Sequence, residues 1–228
     1  MAIKLIVAII LCFLPAVIGF FIFNKGFKIK TSLLLISMFF AALCLIPIFL
    51  INSLTEKITF SINHPVFYQI LKSIILIGLV EELCKTLLIS FFPKKNISLL
   101  TFFILSLTFG LTLGCFETVG YYLGIFSSNL SRKGTTVYSL VIERFLTADL
   151  IHMTCAGLCG LFVYSIRIEG EKLLSISCIL HAILLHGLYD FFAPFTNYLH
   201  YFAIPVILLA ILQCRIKYTS LKNINKSA

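Results

Sequence analysis

Long apolar segments separated by short polar stretches run along the whole chain. Each of the seven segments is close to the ~20 residues that a helix needs to cross a hydrocarbon core of about 30 Å. They cover residues 3–23, 31–51, 67–92, 98–126, 137–165, 173–192 and 198–214. This pattern predicts an all-α polytopic membrane protein with about seven transmembrane helices.

The composition agrees with a membrane domain. Hydrophobic residues make up 60% of the 228 residues and charged residues only 12%, and the mean hydropathy is +1.08. Soluble domains average roughly 45–50% apolar and about 25% charged residues, so an ordinary globular protein is excluded. We expect a single transmembrane helical domain over residues 1–228, with a core at about residues 65–195 that carries the chemistry.

Basic residues are concentrated on one side of the predicted bundle. The net charge is +9, and with seven spans the first, third and fifth loops and the C-terminal tail carry 11 basic residues against 4 on the opposite side. The positive-inside rule then places the N-terminus outside and the C-terminus in the cytoplasm, in the inner (cytoplasmic) membrane of a cell. The basic cytoplasmic tail at 215–228 suits contact with anionic lipids better than nucleic-acid binding.

All eight cysteines fall within the apolar segments. No loop carries a pair, so a disulfide framework is not indicated. Cys155 and Cys159 are four residues apart on one helix face. Buried cysteines commonly behave as small hydrophobic residues, and we favour that interpretation over a metal or redox role.

Six acidic residues lie within or near the predicted spans. At the centre of a bilayer each costs at least ~2.5–3.5 kcal/mol, so each calls either for a function or for a buried pair that fixes helix packing. Glu143 stands beside Arg144 near the outer end of its segment, where an interfacial pair is expected. The six are Glu81, Glu82, Glu117, Glu143, Asp149 and Asp190.

The stretch LVEELCKTLL at 79–88 holds three of the ionisable side chains of the third segment. Lys85 follows Glu81 by four residues and Glu82 by three, so on a helix it reaches either carboxylate. This arrangement suits a general base with a held partner. A charge-balanced packing triad is the alternative.

The fourth segment contains GLTLGCFETVGYYLG. Its glycines form two G-x3-G pairs, at 110/114 and 120/124, which would let another helix approach closely. Glu117 lies between the pairs, and Tyr121 follows it by four residues on the same face. The tyrosine hydroxyl is expected to hold the carboxylate or to contact a substrate; a packing hydrogen bond between the two is the alternative.

The fifth and sixth segments each carry a histidine near an aspartate. Asp149 and His152 are three residues apart and small residues follow them, so His152 is either a site residue or a polar packing element. His186 and Asp190 are four apart, so this aspartate can orient the imidazole or join it as a metal ligand. His181 is expected to point elsewhere. At ~1.5 Å per residue, the motifs on the four segments lie roughly 17–28 Å from the cytoplasmic loops. We therefore expect one shared, water-accessible cavity.

The ordered set EELCK at 81–85, FETVGY at 116–121, His152, and HGLYD at 186–190 resembles the PrsW family of intramembrane proteases. The resemblance covers about residues 75–195, on the third to sixth predicted helices. The family is remotely similar to the CAAX prenyl-protease and Abi group, whose pattern has EExxxR and HxxxN. Lys85 and Asp190 place this chain on the PrsW side.

The resemblance implies an intramembrane endopeptidase with its protease core at about 65–195. Its substrate would be a single-span membrane protein, such as an anti-sigma factor that receives a site-1 cut in signal transduction. Glu81 or Glu82 would activate a water molecule, and His152 and His186 would polarise the carbonyl or stabilise the oxyanion. Asp190 would orient His186. Lys85, Glu117 and Tyr121 complete the implied set as supporting residues.

A metal ion is left open by these motifs. Glu117, His152 and His186 would make a three-ligand zinc site with an open position, but no HExxH is present. We favour a glutamate-activated water without an obligatory metal, because Lys85 can supply the positive charge beside the carboxylates.

Two other classes of function fit part of the pattern. In a proton- or ion-coupled transporter the same acids and histidines would relay protons, but such a protein favours an inverted repeat, and none is found. A non-catalytic membrane scaffold of the same fold is the third interpretation. We expect the lipid bilayer and a membrane protein as partners, and no nucleic acid; the oligomeric state is not indicated.

Overall fold

The computed structural model describes residues 2–55, 64–93, 97–127, 137–166 and 172–227. Within these ranges the chain is helical, with no β-strand. The α-helices are α1 (Ala2–Cys12), α2 (Leu14–Phe21), α3 (Thr31–Thr55), α4 (Pro65–Leu71), α5 (Leu79–Ile89), α6 (Leu99–Ser127), α7 (Val137–Arg144), α8 (Leu150–Tyr164), α9 (Lys172–Phe192) and α10 (Ala203–Ser227).

Four shorter helical pieces that lie wholly within the described residues precede or follow these helices. Three are π-helical turns that widen the backbone within otherwise continuous helices, at Ile22–Gly26, Lys72–Gly78 and Phe145–Asp149. The fourth is a 3-10 turn at Tyr198–Phe202 that leads into α10. Two of the π-helical turns directly precede the helices with the predicted site residues, α5 and α8.

Six helices in the described residues are long and apolar enough to cross a membrane, which confirms a multi-pass membrane protein. They cover Leu5–Gly26, Thr31–Leu54, Leu99–Gly124, Tyr138–Tyr164, Lys172–Phe192 and Tyr198–Ile224. The third predicted segment, 67–92, forms the unbroken helical run α4–π-turn–α5 over residues 65–89. It is absent from the six because four charged residues interrupt its apolar pattern: Lys72, Glu81, Glu82 and Lys85.

The last helix extends well past residue 214, where the seventh apolar segment was expected to end. α10 continues to Ser227, so most of the predicted tail at 215–228 is helical. Its inner face explains the extension, since Leu221 is fully buried and the ring of Tyr218 stacks on Phe103, 4.8 Å between centroids. Lys217 Nζ donates a hydrogen bond of 2.6 Å to Ser177 Oγ on α9.

Several basic residues on which the predicted orientation depends lie outside the described residues. They are Lys57, Lys94, Lys95, Arg132, Lys133 and Arg167.

α8 is the central helix of the bundle. Of its 15 residues, 12 are buried, and it packs against α5, α6, α9 and α10. Small residues permit this close packing, as G-x3-G spacing predicts. A Cβ at Gly114 of α6 would lie 2.9 Å from Asp149 Cα, and one at Gly110 would meet the carbonyl oxygen of His152.

The second G-x3-G pair does not make the helix contact that its spacing suggested. A Cβ at Gly120 or Gly124 would meet no atom within 4 Å among the described residues. This part of α6 extends beyond the central packing, and Gly124 is exposed. Of the two pairs, only 110/114 serves a close helix crossing within the described part of the chain.

A second close crossing joins the π-helical turn Lys72–Gly78 to α9. A Cβ at Gly187 would lie 2.6 Å from Ile74 Cα, and a Cβ at Gly78 would lie 2.8 Å from the carbonyl oxygen of Ile183. Glycine at both positions lets the two backbones touch. This contact sets the distance between the start of α5 and the middle of α9, where the predicted site residues lie.

Candidate active site

Three of the four predicted motifs meet around the side chain of Lys85. Its Nζ atom lies 2.6 Å from Glu82 Oε1, 3.0 Å from His152 Nδ1 and 3.5 Å from His186 Nδ1. Glu81 Oε2 lies farther away, at 3.8 Å. Lys85 is wholly buried, so helices α5, α8 and α9 share one internal ionic cluster, as the motifs predicted.

Of the two adjacent glutamates, Glu82 is the one whose carboxylate oxygens both have close partners. Its Oε1 atom receives Lys85 Nζ and His186 Nδ1, each at 2.6 Å, and its Oε2 atom receives the thiol of Cys159 at 3.1 Å. The side chain is 0% exposed. A buried charge needs such partners to be tolerated, and with all of them in place Glu82 holds the cluster together.

The hydrogen bond to Glu82 fixes the tautomer of His186. A carboxylate only accepts hydrogen bonds, so His186 carries a proton on Nδ1 and donates it to Glu82. The expected role of Asp190 as the orienting acid thus has a stronger counterpart in Glu82. In the neutral imidazole, the Nε2 atom of His186 is left with its lone pair.

His152 has the opposite tautomer. Lys85 donates to its Nδ1 atom, because an ammonium group cannot accept a hydrogen bond. The proton of the neutral ring is then on Nε2, which contacts Glu117 Oε2 in a short hydrogen bond. Glu117 therefore joins the cluster from α6, as predicted.

Glu81 and Asp190 approach the Nε2 atom of His186. Glu81 Oε2 is 3.9 Å from it and Asp190 Oδ2 is 3.5 Å from it. Asp190 Oδ2 is buried and has no hydrogen-bond partner among the described residues. Both side chains retain some exposure, 14% for Glu81 and 22% for Asp190. Three acceptor atoms therefore converge at the accessible side of the cluster.

Arg144 is a site residue that the sequence motifs missed. Its Nη2 atom lies 3.0 Å from Glu117 Oε1 and its guanidinium lies over the ring of Tyr121, 4.8 Å from the centroid. The expected pair with Glu143 is therefore wrong, since Arg144 turns towards α6. An arginine inside a predicted span was itself a signal, because it needs a buried partner.

Tyr121 reaches Glu117 only through Arg144. Its half-exposed ring packs under the guanidinium, and the two oxygens of Glu117 are taken by Arg144 and His152. The predicted neighbourhood of Glu117 and Tyr121 is present, with Arg144 as the group between them.

Asp149 does not orient His152. Its Oδ1 atom accepts a hydrogen bond of 3.3 Å from Thr118 Oγ1, and it packs at Gly114. Asp149 belongs to the π-helical turn and faces α6. His181 points elsewhere as expected, since its Nδ1 atom contacts the carbonyl oxygen of Ser177 at 2.6 Å.

The type and spacing of the donors fit a divalent metal ion. One ligand atom from each of Glu81, His152 and His186 lies within 4.8 Å of the others, the one such group in the described residues. Glu81 takes the place predicted for Glu117. The Nδ1 bond from His186 to a carboxylate is the support that metal-binding histidines commonly have. The ammonium of Lys85, however, lies beside both rings and would repel a second cation.

Comparison with known proteins identifies one family. The sequence model described as PrsW family intramembrane metalloprotease matches residues 30–213. The match extends beyond the predicted 75–195 and includes the second and most of the seventh apolar segments. No curated protein and no solved structure matches the chain.

Proposed function

The chain belongs to the PrsW family of intramembrane metalloproteases, and from this premise we propose that it hydrolyses a peptide bond of a membrane-anchored protein with Glu81 as the general base. The observation that carries the proposal is the difference between the two adjacent glutamates. Both carboxylate oxygens of Glu82 are occupied, by contacts with Lys85, His186 and Cys159. Glu81 is partly exposed, and its nearest basic groups are 3.8 and 3.9 Å away.

The converging acceptors of Glu81, Asp190 and His186 favour a water molecule as the nucleophile. A water bound there would donate to Glu81, which accepts its proton as the oxygen attacks the carbonyl carbon. Glu81 would then return the proton to the leaving nitrogen as the C–N bond breaks. The second hydrogen of the water would be accepted by His186 Nε2 or by Asp190, and this contact would orient the water.

His152 and Lys85 would stabilise the negative charge that develops on the carbonyl oxygen. The Nε2 proton of His152 can be shared between Glu117 and the substrate oxygen, while the ammonium of Lys85 lies 3.0 Å behind the ring. Fixed donors and charges in a site shielded from water are effective in this role.

A metal-dependent version is the second candidate, because Glu81, His152 and His186 form the group described above. A metal ion held by these residues would polarise the water and the scissile carbonyl. In that version Glu81 would be a ligand. We favour the version without an obligatory metal, since Lys85 supplies a positive charge within reach of both carboxylates.

We extend the proposal to the substrate and to the location. The substrate is a single-span membrane protein, such as an anti-sigma factor cut in the first step of a signalling cascade, as the family resemblance implies. The protein lies in the inner membrane with its N-terminus outside and its C-terminus in the cytoplasm, as the distribution of basic residues favours.

Labelling of new protein termini in whole membranes tests this function. Membranes that contain the wild type, Glu81→Gln or the matched control Glu143→Gln are compared by mass spectrometry. We expect new termini within or beside the spans of single-span proteins with the wild type and the control, and none with Glu81→Gln. Identical sets of termini with all three proteins would exclude the proposed general base.

A further inference from the structure

Arg144 makes three contacts with one stretch of α6. Its Nη2 atom forms an ion pair with Glu117 Oε1 at 3.0 Å, without hydrogen-bond geometry. Its Nε atom donates a 3.0 Å hydrogen bond to Thr118 Oγ1, and its guanidinium lies 4.8 Å from the ring centre of Tyr121. The side chain is only 12% exposed. A planar, permanently charged guanidinium held at three points is fixed in orientation.

Glu117 depends on Arg144 for its own orientation. Its side chain is 47% exposed, so burial alone does not hold it. Arg144 takes Oε1, and this leaves Oε2 directed at His152 Nε2. Without the guanidinium, the carboxylate could turn towards the accessible side of the bundle.

The tautomer of His152 depends in turn on Glu117. The proton of a neutral imidazole resides on the nitrogen whose hydrogen-bond partner is an acceptor. The contact with the Lys85 ammonium requires an unprotonated Nδ1 atom on His152. The contact with the Glu117 carboxylate requires a protonated Nε2 atom. Loss of the Glu117 contact removes one of the two constraints.

We propose that Arg144 is a positioning residue that fixes His152 as the Nε2–H tautomer by holding Glu117. Its effect on catalysis rests on the proposed function. Its effect on the ring of His152 does not, because the relay from Arg144 through Glu117 to His152 consists of contacts within the protein.

Nitrogen-15 NMR of the histidine rings tests the relay without any substrate. The chain has five histidines, and His152→Ala identifies the signals of His152. In detergent-solubilised wild type we expect protonated Nε2 and bare Nδ1, and in Arg144→Gln a mixture of tautomers. The neighbouring control Glu143→Gln should match the wild type. Wild-type signals in Arg144→Gln would overturn the proposal.

Glu117→Gln provides a second variant if Arg144→Gln does not fold. The substitution keeps the shape of the side chain, which is about half exposed. An amide has only one acceptor oxygen. Arg144 would take that oxygen and leave an NH2 group facing His152 Nε2. Donors would then face both ring nitrogens, because Lys85 lies at Nδ1, so a mixture of tautomers should replace the single one. A His152 spectrum unchanged from the wild type would contradict the relay here as well.

The kinetic readout uses the substrate identified by terminal labelling. Loss of a supporting partner typically costs 10–100-fold in activity, so we expect Arg144→Gln to lower kcat by roughly that factor with KM little changed. Arg144→Lys should recover part of kcat, because it keeps the charge next to Glu117. An unchanged kcat in Arg144→Gln would overturn the catalytic part. A wild type that cleaves nothing would contradict the proposed function alone, since the NMR result stands independently.

Discussion

Two glutamates adjacent in sequence have different environments. Glu82 points into the bundle and is fully enclosed. Its two carboxylate oxygens have three partners, one each on α5, α8 and α9: Lys85, the Cys159 thiol and His186. Glu81, one position earlier, lies about 100° around the helix and keeps contact with the accessible side. The helix geometry alone therefore places one acid in the core and leaves the other accessible.

We expect Glu82→Gln to destabilise the protein far more than Glu81→Gln. Removal of one partner of a buried ion pair typically costs about 3–5 kcal/mol, because the other charge stays buried; here that charge is Lys85. The more distant contacts of Glu81 imply a much smaller loss. Thermal unfolding of both variants in the same detergent gives the comparison. Equal losses of melting temperature would show that Glu81 has a structural role too.

Metal content distinguishes the two chemical versions of the site. Because the ammonium of Lys85 lies among the candidate ligands, we expect elemental analysis to find far less than one metal ion per chain. Activity should survive prolonged chelation. Stoichiometric zinc that is lost together with activity in His152→Ala would contradict this version and favour the metal-dependent one, with the peptidase assignment retained.

Most site residues could be predicted from sequence because their spacing places them on single helix faces. Glu81, Glu82 and Lys85 needed only the helix period, and so did His186 and Asp190. Partners across helices were not accessible in this way. Arg144 was paired with its neighbour in sequence, whereas in the structure it turns to α6 and meets Glu117.

At the scale of helices, two glycine crossings hold the site in register. α6 meets α8 at Gly110 and Gly114, and the π-helical turn before α5 meets α9 at Gly78 and Gly187. The extra residue in a π-helical turn shifts the face that the next helix presents. The turns at Lys72–Gly78 and Phe145–Asp149 thus help to aim α5 and α8 at the common cluster.

Gly187→Ala should lower both stability and activity. Its Cβ would lie 2.6 Å from the backbone of Ile74, and overpacking of this kind typically costs about 1–3 kcal/mol. Separation of α5 from α9 would also displace His186 from Glu82, so kcat should fall. The measurements are the melting temperature in detergent and the cleavage rate.

Gly120→Ala is the matched control on α6, at a position with space for a methyl group. No described atom lies within 4 Å of its Cβ position, and alanine favours a helix by up to about 1 kcal/mol over glycine. The melting temperature should therefore stay equal or rise. A Gly187→Ala protein as stable and as active as this control would mean that the crossing does not set the site.

The apolar runs in the sequence predicted the helices. They did not predict the π-helical turns or the end of α10. Hydropathy reports which segments can be buried, not where a backbone widens by one residue. The pattern also ended the last helix at 214, because it registers the exposed basic residues and overlooks the inner face with Tyr218 and Leu221. Only packing distinguishes the glycine pair at 110/114 from that at 120/124.

For the whole molecule, the topology depends on whether the helical run α4–α5 crosses the membrane. Six helices qualify as spans by length and composition, and a seventh crossing by residues 65–89 would place the two termini on opposite sides. The charged side chains of this run are compatible with a crossing because Glu82 and Lys85 are enclosed by other helices.

Reporter fusions test this arrangement. We expect a reporter after residue 60 to lie outside, one after residue 95 in the cytoplasm and one after residue 133 outside, in accordance with the basic residues of the loops. Fusions after 60 and 95 on the same side would mean that the run does not cross. Three reversed signals would invert the proposed orientation.

The most direct test of the central claim is hydrolysis by purified protein in lipid nanodiscs, with the substrate found by terminal labelling and water enriched in oxygen-18. We predict that the wild type and Glu143→Gln release the product with one oxygen-18 atom in its new carboxyl group. Loss of a general base typically costs about 10²–10⁴-fold, so Glu81→Gln should retain about 1% of the wild-type rate or less. Folded Glu81→Gln protein that cleaves the substrate at the wild-type rate would contradict the claim that Glu81 activates the water.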